Sequence, residues 1–386
     1  MRRLLRTLLV VALVVFVVFA AAGWYFSEEL RRDALETTPS EDEPTVEVLG
    51  IDEGRITLAQ GDPEDNELAA PGTFGLSWDG GYGRVTGVRE LEGDEVVRRF
   101  SEFEQGRPET GTLTDVDPTT FPGNPMRALG IPFEEVTYET PLGPMDAWLV
   151  SGTGRTWMVM VHGKGASRSE GMRMLSSTND LGWPTLMITY RNDPGQPPDP
   201  SGWYRYGETE WQDLEGAVRF AIDEGAQRVV LVGLSAGAAV SLSFLYESDL
   251  ADRVVGAVFD APNIDFLQTI EFGASQRNLP IPFFDIGLPA SLTAVATWIS
   301  AWRFDLDWQA LDYTARADEL DVPILVFHGE ADTTVPVEES QELADARPDL
   351  VRLVVVEGAE HVQSWNAIPQ RYGDVVSRFL RGLRRS

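Results

Sequence analysis

Apolar residues recur along this chain in three different rhythms. From Thr7 to Phe26 an uncharged stretch of 20 residues runs unbroken, the length of a helix that crosses a hydrocarbon core. From 45 to 125 the runs are short, alternating and punctuated by glycine, as in "TVEVLGIDEGRITLAQG", "GTFGLSWDGGYGRVTGV" and "DEVVRRFSEF". That pattern predicts strands joined by tight turns, hence a small β-rich domain with Phe74, Trp78 and Tyr82 as core aromatics. A proline-rich boundary, "PTTFPGNPMRALG", follows. From about Phe133 the rhythm changes again. "EEVTYETPLGPMDAWLV" reads as a hairpin, and "TWMVMVHG", "WPTLMITY", "RVVLVG", "RVVGAVFDAP", "VPILVFHGEAD" and "VRLVVVEGAEH" are apolar at nearly every strand position. Strands of that kind require a sheet covered on both faces. Helical spacing lies between them, as in "GETEWQDLEGAVRFAIDEG", where Trp211, Leu214, Val218 and Ala221 share one side. Alternating strands and helices predict an α/β fold over 126–386: a mostly parallel central sheet with helices on both faces, interrupted by an irregular excursion at 262–310.

The flanks of the first apolar run bear on location. Arg2, Arg3 and Arg6 precede it, and Trp24 and Tyr25 stand at its far end as interfacial anchors do. We read residues 1–26 as an uncleaved signal anchor that keeps the arginines cytoplasmic and the body of the chain outside. A secreted protein cleaved at Ala20-Ala21-Ala22 is the rival reading, but the apolar run continues beyond that site. Residues 27–44, with Glu41-Asp42-Glu43, read as an acidic solvated tether.

Composition narrows the chemistry. The 386 residues include 61 acidic and 31 basic side chains, a formal net charge of -30, which argues against nucleic-acid partners. Without cysteine there is no thiolate catalysis, and no metal or cofactor motif is present. Lys164 is the one lysine.

Candidate chemistry centres on "VLVGLSAGAAV". Ser235 stands between Gly233 and Gly237 where a strand gives way to a helix, a geometry that lifts a hydroxyl above the sheet edge and aims helix-start N–H groups at it. A serine needs a base. Of three histidines, His162 and His328 each close a strand as His-Gly and are expected to be structural, whereas His361 sits on a glycine-bearing loop after the last strand. Asp332 in "FHGEADTTVP" is the expected orienting carboxylate, with Glu330 as the near alternative. An oxyanion would be met by the backbone N–H of Ala236 and by that of Lys164 or Gly163. Substrate contacts are expected from the loop 191–207, with Trp203 and Tyr204, and from the aromatic excursion, with Phe266, Phe272, Phe283, Phe284, Trp298, Trp302 and Trp308. Phe266 and Trp298 are the candidates there, as parts of a cap.

Together "VHGKGASR", "ITYRND", "VGLSAGAAV", "VFHGEADTTVP" and "GAEHVQSW" resemble the α/β-hydrolase superfamily, in particular bacterial enzymes related to its prolyl-oligopeptidase and serine-aminopeptidase branches. The resemblance implies Ser235 as nucleophile, Asp332 as acid and His361 as base. Its expected function is hydrolysis of carboxylic esters through an acyl-enzyme, on a small ester or a short peptide. A peptidase or amidase is the same chemistry on a harder leaving group, and a non-catalytic binding or scaffold protein that keeps the fold is the alternative of another class. The 45–125 segment is too short for the propeller of a true prolyl oligopeptidase.

Overall fold

The computed structural model describes residues 2–37, 44–59, 67–90, 95–102, 106–279 and 286–383. Glu41, Asp42, Glu43, Phe283 and Phe284 lie outside the described residues. The opening apolar run contains no proline and a single glycine, Gly23, and forms α1, Arg2–Leu30. This helix and the π-turn that continues it to Leu35 are long and apolar enough to cross a membrane, and Leu4, Leu8, Val11, Val15 and Val18 stand uncovered. The expectation of a solvated tether from Ser27 is corrected by residues 27–37. Ser27, Leu30, Ala34 and Leu35 are buried, because four apolar or small side chains in two turns find a partner surface on the α/β domain.

The β-rich domain closes on itself. Strands β1 (Val46–Asp52), β2 (Arg55–Ala59), β3 (Thr73–Trp78), β4 (Gly81–Glu90), β5 (Glu95–Glu102) and β6 (Leu113–Asp117) pair antiparallel in the order β1-β2-β5-β4-β3-β6, and β6 returns to β1. Closure leaves no open edge. Alternation puts Val46, Val48, Ile56, Leu58, Leu76 and Val116 inside, with Phe74, Trp78 and Tyr82 also buried.

A short helix α2, Pro125–Leu129, capped by the Asn124 side chain, leads into the second domain. There β7 (Glu134–Thr140), β8 (Gly143–Val150), β9 (Thr156–Val161), β10 (Thr185–Ile188), β11 (Arg228–Leu234), β12 (Val254–Asp260), β13 (Ile324–Gly329) and β14 (Val351–Val356) form one sheet. Its order is β14-β13-β12-β11-β9-β10-β8-β7, parallel from β14 to β10 and antiparallel at the β8–β7 hairpin. The helices α3 (Met172–Asn179), α4 (Trp211–Asp223), α5 (Ala236–Glu247), α8 (Val337–Ala346), α9 (Ser364–Ala367) and α10 (Pro369–Leu383) complete it. α4 and α5 bury Leu214, Val218 and Phe244 on one face; α3 and α10 bury Leu175, Val376 and Leu380 on the other. The fully apolar strands therefore sit between two helix layers, as their composition requires. Between β12 and β13 the excursion forms two cap helices, α6 (Phe266–Ser275) and α7 (Ala290–Phe304).

The root of the cap is held by a buried acid. Glu339 on α8 accepts hydrogen bonds from the N–H groups of Ile264 and Asp265 and from the Thr269 hydroxyl. Burial pushes its carboxyl up to about 8, against the lowering effect of those donors. The fold thus favours the protonated acid. Its contribution is complete below the ordinary glutamate pKa of about 4.3 and is lost as pH rises through about 8. Replacing Glu339 by Gln should remove this component. Thermal unfolding from pH 5 to 8.5 should show the wild type losing at least about 2 °C relative to the variant across that range; parallel curves would contradict it.

Candidate active site

The strands of a parallel sheet all end at one edge, so the residues just after β9, β11, β12, β13 and β14 are neighbours whatever their separation in sequence. Ser235 follows β11 directly and holds φ 51, ψ -119, a conformation that a non-glycine residue adopts only under constraint. The two flanking glycines explain how it is held. A methyl group on Gly233 would lie 2.6 Å from Ala238 Cα, so this glycine lets α5 pass across the strand end. One on Gly237 would lie 2.2 Å from the Val161 carbonyl oxygen, so the second glycine seats α5 against β9. Positive φ recurs at Ala261 (46°), after β12, and at Val362 (54°), beside the histidine loop. Three of the eight non-glycine residues at positive φ among the described residues therefore border this site.

There His361 Nε2 lies 2.8 Å from Ser235 Oγ, and His361 Nδ1 lies 2.8 Å from Asp332 Oδ2. Asp332 is clamped from two other directions. Its Oδ1 accepts the N–H groups of Thr334 and Val335 at 2.9 Å, and His328 Nε2 stands 3.3 Å from Oδ2. Burial alone would raise this carboxyl, but the hydrogen bonds from His328 and His361 overcome it and hold the group well below the usual carboxylate range. An ionised Asp332 keeps the imidazole proton on Nδ1 and leaves Nε2 to accept from the serine hydroxyl. The candidate alternative, Glu330, is exposed at the end of β13, and Asp332 occupies the position beside His361.

The other two histidines are spoken for. His162 bonds Asp193 Oδ2 and the Gly163 carbonyl, both at 2.8 Å. His328 bonds the Ser340 hydroxyl and the Val335 carbonyl, and so steadies the loop that carries Asp332. Arg173 donates to the Val362 carbonyl and pins the loop that carries His361.

The oxyanion candidates divide. Ala236 opens α5, where N–H groups have no intrahelical acceptor. The N–H of Gly163 donates to Glu170 Oε2 at 2.8 Å, which corrects its expected role: a glutamate seven residues on has taken it. Lys164 lines the same cavity as the serine, and its ammonium donates to the Asp33 carbonyl. Burial lowers its pKa, opposed by Asp33 and Glu36.

A cavity of about 450 Å³ opens over Ser235 and His361. Phe266 lines it, stacked on Tyr206 with ring centroids 3.8 Å apart. The remaining substrate candidates lie elsewhere. Trp203 packs edge-on against Phe304, and Tyr204 is buried with its N–H donating to the Leu35 carbonyl. Trp298 is 72% exposed, because it sits on the outer face of α7. The residues that sequence reasoning missed are Phe26, Leu30 and Ala34, which reach the cavity from the N-terminal helix and its π-turn. The available signal was the spacing of Gly23 and Ser27, a small-residue pair that marks a close helix crossing. Among the described residues no group of three or more His, Cys, Asp or Glu has the spacing of a metal site.

A family model described as "Alpha/beta hydrolase family" matches residues 158–376, more than half of the chain. This chain belongs to the alpha/beta hydrolase family. A second model, described as a domain of unknown function (DUF8805), covers the barrel at 47–117. Among curated proteins, the uncharacterized protein YfhR of Escherichia coli K12 is 24% identical over 218 residues, 56% of this chain and 66% of that protein, just under two thirds of its length. Among solved structures, the Pyrococcus furiosus esterase Pf2001 superposes with a TM-score of 0.53 at 22% identity, covering 68% of this chain and 96% of that one. At that identity the likeness concerns the fold.

The glycine packing around Ser235 is testable through stability. Gly237→Ala is expected to cost about 1–3 kcal/mol in chemical denaturation, because its methyl meets a backbone carbonyl. Gly382→Ala, where a methyl meets open space, should be neutral or stabilising. Equal effects of the two would contradict the packing argument.

Proposed function

We propose that this protein is a membrane-anchored serine hydrolase of carboxylic esters whose catalytic domain faces away from the cytoplasm. The observation that carries the reading is the pair of 2.8 Å contacts linking the Ser235 hydroxyl to His361 and His361 to an ionised Asp332. Membership of the alpha/beta hydrolase family supports it. Ser235 Oγ attacks the ester carbonyl carbon while its proton passes to His361 Nε2. Asp332 stabilises the imidazolium that forms. Charge on the tetrahedral oxygen is met by the N–H groups of Ala236 and Lys164. Collapse breaks the C–O bond to the alcohol, which takes the proton back from His361 and leaves. Water then attacks the acyl-enzyme with His361 again as base, releasing the acid and restoring Ser235. The positions of Arg2, Arg3 and Arg6 before the apolar run support the orientation, and the helix length supports anchorage.

A fluorophosphonate probe is expected to label the wild type and not Ser235→Ala; an unlabelled wild type would favour a non-catalytic binding protein. Asp332→Asn should lower ester turnover on the order of 10⁴-fold, whereas Glu330→Gln should leave it nearly unchanged. The reverse pattern would assign the wrong carboxylate. Cell fractionation should recover the full-length protein with membranes, and a wild type found free in the medium would mean cleavage.

A further inference from the structure

We infer that the anchor helix is itself a wall of the substrate site, and that the substrate is a single-chain amphiphilic ester that partitions into the bilayer and reaches Ser235 along this helix. The inference rests on the serine-hydrolase reading above and names its substrate class.

Three observations carry it. First, α1 is built into the cap. A methyl on Gly23 would lie 2.5 Å from Val295 Cγ1 and 3.0 Å from Ile299 Cδ1, so a larger residue there would force the Val295 side chain to move. One turn on, the Ser27 hydroxyl bonds Ser300 Oγ at 3.0 Å and accepts from Arg303 at 3.1 Å. Arg303 also pairs with Glu28 at 2.7 Å and lies 4.1 Å over the Trp24 ring. A helix held by small residues, two hydroxyls and an arginine clamp has a fixed position against the cap.

Second, that position places Phe26, Leu30 and Ala34, at i, i+4 and i+8, on the cavity that contains Ser235 and His361. Cap residues Ile270, Leu288 and Ala296 supply further apolar lining. Charged groups are confined to Glu29, Asp33, Lys164 and Arg277; Arg277 pairs with Asp33 at 2.6 Å, and Lys164 bonds the Asp33 carbonyl. A lining that combines these apolar side chains with a few charged groups and threonines such as Thr293 and Thr297 matches a ligand with one hydrocarbon chain and one polar end.

Third, the same helix leads out of the cavity into apolar surface with no protein cover. Leu4 to Val18 stand exposed, and Trp24 and Tyr25, next in sequence to the cavity-lining Phe26, are also exposed. On α7, Trp298 and Trp302, one turn apart, are 72% and 73% exposed. Four exposed aromatics, two on the membrane-length helix and two on the cap helix packed against it, suit a membrane interface, since such rings are apolar with a polar edge. A substrate dissolved in water has no use for this construction, whereas a chain already in the bilayer meets the site at the end of a hydrocarbon path.

The test uses full-length protein in phosphatidylcholine vesicles, active sites counted with a fluorophosphonate, and 4-nitrophenyl esters from butanoyl to hexadecanoyl. Wild-type kcat/KM is expected to rise at least about tenfold between butanoyl and dodecanoyl. Ala34→Phe, which fills the cavity from the anchor side, should shift the optimum to shorter chains and cut the dodecanoyl-to-butanoyl ratio about tenfold. Leu30→Ala, which enlarges it, should move the optimum to longer chains; these opposite shifts separate a pocket effect from simple loss of folding. A labelled enzyme whose kcat/KM falls with chain length, or variants that keep the wild-type profile, would overturn this inference and leave the hydrolase reading standing. No labelling and no turnover of any ester would overturn both.

Discussion

The hydrogen bond between Ser235 and His361 depends on a backbone conformation that the serine would not adopt by itself. With φ at 51° the residue is held by its surroundings: β11 on one side, α5 on the other, and two glycines that let the helix cross the strand end at contact distance. Remove either glycine and the turn must relax. Relaxation would carry the hydroxyl away from an imidazole that is itself fixed by Asp332, and Asp332 is fixed by two backbone N–H groups and His328. Strain at one residue is thus supported by a chain of hydrogen bonds that ends in the strands of the sheet.

The additional elements act on the same edge. The barrel docks beside the histidine loop: Asn366, five residues after His361, donates to the carbonyls of Thr73 and Pro118 at 2.8 Å, and Phe121 packs on Trp365. Gly72 has room only for a hydrogen, since a methyl there would lie 2.3 Å from the Asn366 carbonyl oxygen. The cap is tied down from the other side through Glu339, and α1 is tied to the cap. The barrel and α1 thus pack against elements next to the site: the barrel against the segment that follows His361, and α1 against the cap.

Much of this is legible in the sequence, for reasons that differ by element. β9, β11, β12 and β13 announce themselves because a strand covered on both faces has no polar position to spare. The elbow is legible because glycine at 233 and 237 is demanded by two close approaches. His361 emerges because only three histidines exist. What escapes is decided across long sequence separations. Lys164 meets Asp33 over 131 positions, and Ser27 meets Ser300 over 273, so beyond the small-residue spacing of Gly23 and Ser27 nothing local marks residues 27–37 as packed rather than solvated. Glu170 takes the Gly163 N–H only because a tight turn folds back on it. Trp298 reads as a cap residue facing inward, yet its face of α7 points out, since the inner face is filled by Ala296, Ile299 and Ser300.

The central claim is that the Ser235 oxygen forms the covalent link to substrate. Rapid acid quench of the full-length protein during turnover of a slowly released ester, followed by peptide mass spectrometry, tests it directly. One acyl group on the peptide that carries Ser235 is the predicted result. Steady hydrolysis with that peptide unmodified, or with the acyl group on another residue, would contradict the account.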